Sequence, residues 1–365
     1  MKYILDFSSH LPAYQQLYRK VREDIINGIY PAGSKLPSKR TIALDCNVST
    51  VTVEHAYSLL CEEGYVESRE RSGFFVIFCA DDGFVTSPAV SKPYKYQLNS
   101  QSDEHTDFSL SVLTKTMRKV ISDAGEGMLE RSPSFGTLEL REAIKRYLAQ
   151  NRGIIADINQ IIIGSGSEYL YTLLVGLLGR DRVYAIESPS YNKIEQVYNT
   201  SDVTLEKLPL SNDGIDSKAL KNSSADVLHI SPYRSYPSGV TATASKRHEY
   251  LRWAEQGTRY IIEDDFESEF SVSRKHEETL FSHSFRDNVI YMNTFSKTVS
   301  PSLRIGYMIL PKDLASLYEQ KLGFLSCPVP TYLQLVLAEL MNNGDFERHI
   351  NRVRRNKRKE SALTK

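Results

Sequence analysis

Between Ile161 and Leu310 the chain repeats one pattern, a short apolar run followed by a segment with helical spacing. The runs are Ile161–Ile163, Val183–Ile186, Val227–Ile230, Tyr260–Glu263, Val289–Met292 and Gly306–Leu310. The helical segments include Leu138–Asn151, Ser167–Leu178, Asn192–Asn199 and Ala244–Gln256. Strand-like runs alternating with helices predict an α/β fold, a sheet with helices on both faces.

The first part of the chain has a different organisation. Tyr14, Leu17, Tyr18, Val21, Ile25 and Ile26 recur at three- and four-residue spacing, the stripe of an amphipathic helix that stops at Asn27-Gly28. Pro31-Ala32-Gly33 makes a turn. Ser38 is the expected N-cap of a second helix from Lys39 to about Asp45, and Ser49 that of a third, running to the stop at Gly64. Tyr65–Ser68 and Gly73–Phe78 then read as two short strands around a basic tip, Arg69-Glu70-Arg71-Ser72. The polar stretch that follows, 79–106, reads as a linker between a first domain, 1–78, and a second, 107–365.

Composition narrows the class. At 365 residues the chain is long enough for two domains, and 41% apolar with 25% charged residues is ordinary for a globular protein. No apolar run is long enough to span a membrane, and the first twelve residues lack the core of a signal peptide, so a cytoplasmic location is expected. Cys46, Cys61, Cys79 and Cys327 are far apart, which suits reduced core residues and no metal site. Net charge is zero, and residues 1–78 carry nine Lys/Arg against nine Asp/Glu, so bulk electrostatics gives no sign of a nucleic-acid partner. The segment from Glu347 to Lys365 carries eight Lys/Arg against two Glu; a solvated helix face or an extra DNA contact would both suit it.

The order helix, turn, helix, turn, helix, hairpin is that of a winged helix-turn-helix, whose third helix presents its first side chains to base edges in the major groove. Here those are Ser49, Thr50, Thr52 and His55. Arg40, Arg69 and Arg71 would contact phosphate or the minor groove, with Ser38 and Gly73 completing the candidate DNA-binding set. A small helical packing module is the alternative. Pro31-Ala32-Gly33-Ser34-Lys35-Leu36-Pro37-Ser38-Lys39-Arg40 and Ser49-Thr50-Val51-Thr52-Val53, followed by Ala56-Tyr57, Leu60 and Glu63-Gly64, resemble the GntR family of winged-helix repressors. That family usually has an acidic residue or Ser at position 39 and often an Arg at position 50, where this chain has Lys39 and Thr50.

In the second domain one cluster carries chemistry: the run from Asn293 through Ser296-Lys297 to Arg304-Ile305-Gly306-Tyr307. A lysine in a small-residue loop can condense with an aldehyde as a Schiff base, although a surface charge would read the same way. Thr294, Ser296 and Arg304 suit a phosphate. Asp264 ends a strand in a carboxylate that can face a protonated pyridine nitrogen. Gly164-Ser165-Gly166-Ser167-Glu168 opens a helix where N–H groups receive phosphate. Tyr191 can stack on a flat ring, and Tyr236-Pro237-Ser238-Gly239 offers a phenol at a tight turn.

In this order the five motifs resemble fold-type I aminotransferases, and specifically the MocR subfamily, in which a GntR head precedes an aminotransferase-like body. The resemblance implies a winged helix-turn-helix (α+β) plus an α/β transferase-like domain with a mixed, mostly parallel sheet. It implies pyridoxal 5'-phosphate (PLP) on Lys297, Asp264 at the ring nitrogen and Tyr191 on the ring. Gly166, Ser167, Ser296 and Arg304 would hold the phosphate, with Glu168, Tyr236 and Thr294 around them. The partners it implies are operator DNA, a second copy of the chain, and an effector that is PLP or an amine or amino acid reacting with it.

Phe266 stands where that subfamily usually has a Tyr bonding the ring oxygen, Arg234-Ser235 replace a usual His-Gln, and Arg131–Phe135 lacks the usual Tyr-Gly-Asp-Pro. Relatives of that subfamily continue past the position of Lys365 into a small domain, most of which this chain is therefore expected to lack. The leading expectation is a PLP-binding transcription regulator. An aminotransferase with residual activity is the second, and a DNA-binding chain whose body no longer holds cofactor is the third.

Overall fold

The computed structural model describes residues 3–7, 11–79, 108–266, 268–270 and 278–363. The linker expected over 79–106 falls, apart from Cys79, outside the described residues. The chain divides into two compact units, Met1–Asn99 and Ser100–Lys365.

In the first unit, helices α1 (Ala13–Ile26), α2 (Lys39–Cys46) and α3 (Thr50–Glu62) precede the antiparallel strands β1 (Val66–Arg69) and β2 (Gly73–Val76). The α1 stripe is buried as its spacing requires: Leu17, Val21 and Ile25 meet Val53, Ala56, Tyr57 and Leu60 of α3 and Ile42 of α2 in one core. Ser38 accepts Thr41 N–H and Ser49 accepts Thr52 N–H, each at 3.1 Å, so both expected caps form. Asn47 ends α2 in the left-handed region (φ 52°) and turns the chain into α3. The wing has more pairing than the sequence pattern suggested. Gly33 N–H donates to Val76 O and Leu36 N–H to Phe74 O, so the turn after Pro31 runs on as an extended segment beside β2.

In the second unit, α4 (Leu110–Ala124), α5 (Leu138–Asn151), β3 (Ile161–Gly164), α6 (Ser167–Leu178), β4 (Val183–Ser188) and α7 (Asn192–Thr200) come first. Next are β5 (Thr204–Ser211), β6 (Gly214–Ile215), α8 (Ser217–Asn222), β7 (Val227–Ile230), α9 (Ala244–Ala254), β8 (Tyr260–Asp264) and α10 (Leu280–His283). The last are β9 (Val289–Thr294), β10 (Gly306–Ile309), α11 (Lys312–Leu322), α12 (Thr331–Asn342) and α13 (Asp345–Leu363). The strands form one sheet in the order β3-β10-β9-β8-β7-β4-β5-β6 among the described residues. Pairs from β5 through β9 are parallel, whereas β10 is antiparallel to both β3 and β9. All six expected runs are strands of this sheet. The sequence pattern missed β5 and β6, because Thr204–Ser211 mixes Glu206 and Lys207 into a half-exposed strand beside the two-residue edge strand β6, without a clean apolar run.

Side chains alternate across the sheet as the pleat dictates. Ile161, Ile163, Tyr291, Tyr307 and Ile309 pack with α5 and α12 on one face, and Ile162, Ile262, Ile290, Met292 and Met308 pack with α6 and α11 on the other. Successive residues of β3 thus belong to different cores, which is why the run is apolar without interruption. Ligands of such sheets bind at the carboxyl ends of the parallel strands. The carboxyl ends of β4, β7, β8 and β9 carry Ser188, Ile230, Asp264 and Thr294.

Candidate functional site

The pocket forms where those strand ends meet. It encloses about 230 Å³ and is lined by Ser167, Glu168, Tyr191, Tyr236, Asp264, Thr294, Ser296, Lys297 and Arg304, together with Tyr171, Glu187, Lys193, His229 and Phe266. Every cofactor candidate except Gly166 is therefore on its wall, and Gly166 is directly behind it. A Cβ at Gly166 would lie 2.8 Å from Arg304 Nη2, and φ there is +85°, so close approach and backbone both demand glycine.

Gly164-Ser165-Gly166 ends β3 and starts α6, leaving the first N–H groups of that helix toward the pocket. Arg304 reaches the same place from just before the neighbouring strand β10, held with φ 49° after the short turn Pro301–Leu303. Thr294 Oγ1 accepts Ser296 N–H at 3.2 Å and lies 3.0 Å from Ser296 Oγ, which shapes the loop that carries Lys297. The Lys297 ammonium lies 4.7 Å from the Phe266 ring centroid.

Asp264 is 5% exposed at the end of β8. Tyr171 donates to its Oδ2, and His229 Nε2 lies 3.5 Å from the same oxygen. His229 is oriented from behind by a 2.7 Å hydrogen bond between its Nδ1 and Tyr198 Oη, and its Nε2 is buried without a hydrogen-bond partner among the described residues. Tyr171 is pushed well above the usual phenol range, by burial first and by the Asp264 carboxylate second, and so stays a donor. Glu187, at the end of β4, accepts Ser235 Oγ at 2.5 Å and Ser231 N–H at 3.3 Å, and burial pushes it up to about 7. Tyr191 and Tyr236 meet edge-on, ring centroids 6.0 Å apart, at the mouth of the pocket.

Beneath Asp264, Asp265 pairs with buried Arg152 and accepts Tyr291 Oη at 2.7 Å. Asn293 donates to Glu269 at 2.6 Å in the same layer. These groups hold the ends of β8 and β9 together. Tyr171, Glu187, Lys193 and His229 were not among the sequence candidates. All four lie inside regular elements, α6, β4, α7 and β7, where a polar residue carries no motif.

In the helix-turn-helix unit, Thr50, Arg40 and Arg71 are exposed at the starts of α3 and α2 and at the hairpin tip, and Thr52 is half-buried with its hydroxyl 2.9 Å from that of Ser49. Arg40 and Arg71 make no ion pair among the described residues. Other candidates have local partners: Ser38 and Ser49 cap their helices, Arg69 pairs with Glu67 and lies 4.4 Å from the Phe75 ring centroid, and His55 stacks on Tyr14 at 4.1 Å. Gly73 (φ +107°) begins β2, and a Cβ there would come within 3.0 Å of Lys35 Cε. No helix among the described residues is long and apolar enough to cross a membrane.

Residues 13–76 match the family described as bacterial regulatory proteins, gntR family, and residues 98–365 match aminotransferase class I and II. The HTH-type transcriptional regulator YdeL of Bacillus subtilis (strain 168) is 31% identical over 97% of this chain and 78% of its own length. The probable rhizopine catabolism regulatory protein MocR of Rhizobium meliloti is 27% identical, covering 96% and 76%. The HTH-type pyridoxine biosynthesis transcriptional regulator PdxR of Corynebacterium glutamicum is 27% identical, covering 93% and 75%. In fold, the second unit is similar to a kynurenine aminotransferase of Pyrococcus horikoshii, with a TM-score of 0.61 and 24% identity over 68% of this chain. The chain spans 64% of that enzyme's length. With both matches in one chain and regulators of the same layout as relatives, the protein belongs to the MocR-type members of the GntR family, transcription regulators that join a helix-turn-helix head to a PLP-dependent aminotransferase-like domain.

Proposed function

We propose that this regulator binds PLP in the strand-end pocket, senses PLP or an amine or amino acid reacting with it, and passes that state to a DNA-reading head. The observation that carries the reading is the convergence of Lys297, Asp264 and the Gly166–Arg304 cradle on one pocket. The residues fit the cofactor. Glycine at 166 keeps backbone N–H groups and a guanidinium together for a phosphate, and a buried carboxylate stands ready at the far wall. Bound PLP supplies an aldehyde that condenses with a lysine amine and a ring that takes up electrons.

Lys297 brings the amine from its loop. Asp264, kept oriented by Tyr171 and His229, holds a proton at the ring nitrogen. Tyr191 covers a ring face, and Ser167, Ser296, Thr294 and Arg304 bind phosphate oxygens, with Tyr236 at the pocket mouth. Glu187, protonated more readily than a surface carboxyl, keeps a second negative charge away from Asp264. Phe266 brings no hydroxyl to the ring, which favours holding and sensing over efficient transamination. The pyridoxine biosynthesis role in the Corynebacterium relative's name fits an effector of this ring chemistry.

In the head, Ser49, Thr50, Thr52 and His55 face base edges of double-stranded operator DNA, and Ser38, Arg40, Arg69, Arg71 and Gly73 follow the backbone. A homodimer in the cytoplasm would read two half-sites. A coupling of about 1–3 kcal/mol between pocket and head is enough to change operator occupancy several-fold.

Absorbance of the protein with added PLP, borohydride reduction and peptide mapping test the reading. A reduced adduct on Lys297, lost in Lys297→Ala while basal DNA binding persists, is expected. No adduct on a folded protein, or loss of DNA binding in folded Lys297→Ala, overturns the division into sensor and reader.

A further inference from the structure

The phosphate cradle contains its own anion. Glu168, in the first turn of α6 and next to Ser167, forms an ion pair with Arg304 through Oε2, and accepts Lys193 Nζ at 2.7 Å through Oε1. Arg304 is the guanidinium that lies against Gly166, so the positive group best placed for a phosphate is already held by a carboxylate of the same helix. We propose that Glu168 is a built-in competitor that sets how tightly the pocket takes a phosphorylated ligand. The proposal rests on the PLP reading and specifies what controls affinity in it.

Three features support competition over mere scaffolding. A carboxylate and a phosphate dianion side by side on one guanidinium repel each other, so one must withdraw. Glu168 can withdraw: its side chain is 24% exposed, and Lys193 on α7 stays bonded to its other oxygen. Glu168 also remains an anion throughout the neutral range, because its hydrogen bonds from Lys193 and Arg304 outweigh burial and hold it at about 2. The competition is therefore permanent. With Glu168 in place the cradle offers two cations and one anion to the incoming phosphate. A cofactor held against such a competitor exchanges with solution, as a sensor requires and a permanently loaded enzyme does not.

The test is Glu168→Gln, which keeps the shape of the side chain and removes its charge. PLP, pyridoxal and inorganic phosphate are titrated into wild type and variant, the first two by absorbance and the last by thermal shift. Glu168→Gln is expected to tighten PLP and inorganic phosphate by about tenfold and to leave pyridoxal, which has no phosphate, unchanged. Equal or weaker phosphate binding by a variant that melts normally without ligand overturns the proposal, as does an equal gain for pyridoxal. If neither form gives a PLP spectrum yet the variant takes inorganic phosphate more tightly, the PLP reading falls and the competitor stands. If neither ligand binds either form, both fall.

Discussion

In the helix-turn-helix unit Ser49 directs its hydroxyl to Thr52, three residues along, whereas in the sheet unit Tyr171 reaches Asp264 from 93 residues away. The same contrast runs through both candidate surfaces. Ser38 bonds Thr41, Arg69 bonds Glu67, and Arg40, Thr50 and Arg71 stand in solvent at two helix starts and a hairpin tip. In the pocket Glu187 of β4 is bonded by Ser235, Asp264 of β8 by a helix residue, and Glu168 by a lysine and a distant arginine. A reading head has to present side chains outward, and Arg40 and Arg71 do so with no ion pair among the described residues. A ligand pocket has to turn its polar groups inward. A buried polar group there takes its partner from a helix or loop adjacent in space, as Asp264 does from Tyr171 and Glu187 from Ser235.

The contrast can be broken by removing the head's core. Tyr57 is fully buried, meets Phe74 edge-on at 4.9 Å and donates to Pro37 O at 2.9 Å. Tyr57→Ala is expected to destabilise the head by about 3–5 kcal/mol and abolish DNA binding while the PLP spectrum persists. Loss of the spectrum as well, or a single unfolding transition that moves as a whole, would show that the two units do not stand apart.

A smaller effect is expected from the pocket's buried acid. Glu187 is pushed from near 4.5 up to about 7, so the folded protein keeps a proton that the unfolded chain releases. Its contribution to stability is therefore lost as pH rises from 4.5 to 7, and the full penalty is present above that window. Glu187→Gln, which can still accept from Ser235, is expected to be more stable than wild type by about 2–3 kcal/mol at pH 8 and equal to it near pH 4. Chemical denaturation at the two pH values reads the difference. A constant difference at both would assign Glu187 a packing role instead.

The smallest effect belongs to a solvent-facing charge. Arg40→Ala is expected to weaken binding to all DNA sequences by a similar few-fold factor and to lower the salt slope by about one ion. Loss confined to one base position would mean that Arg40 reads sequence, and that α2 as well as α3 enters the groove.

Reading the chain alone went furthest where signals are local. The two caps, the α1 stripe and the hairpin were legible because a helix start or a turn is decided by residues within a few positions of each other. Strands β3, β4, β7, β8, β9 and β10 were legible too, since a strand buried on both faces must be apolar throughout. β5 was not: beside the two-residue edge strand β6 it is half-exposed, Glu206 takes hydrogen bonds from Ser223 and Ser224 and Lys207 pairs with Glu195, so no apolar run is left to find. Lys297, Asp264 and Arg304 were named from their motifs and line one pocket, with Gly166 against Arg304.

What the sequence could not give is the set of relationships between those motifs. That Glu168 holds Arg304 is a statement about the ends of β3 and β10, antiparallel neighbours 136 residues apart in the case of this pair. That His229 and Tyr171 meet at Asp264 depends on β7 and β8 lying side by side with α6 packed over them. The sequence by itself determined the helices of the head, six strands of the sheet, the order of the two units and the chemical type of each candidate, because propensity, capping and periodicity act over a few residues. Only the tertiary structure decided which charges cancel and which remain, because Coulomb and hydrogen-bond energies depend on separation in space, and the sheet, by stacking distant strand ends, sets that separation.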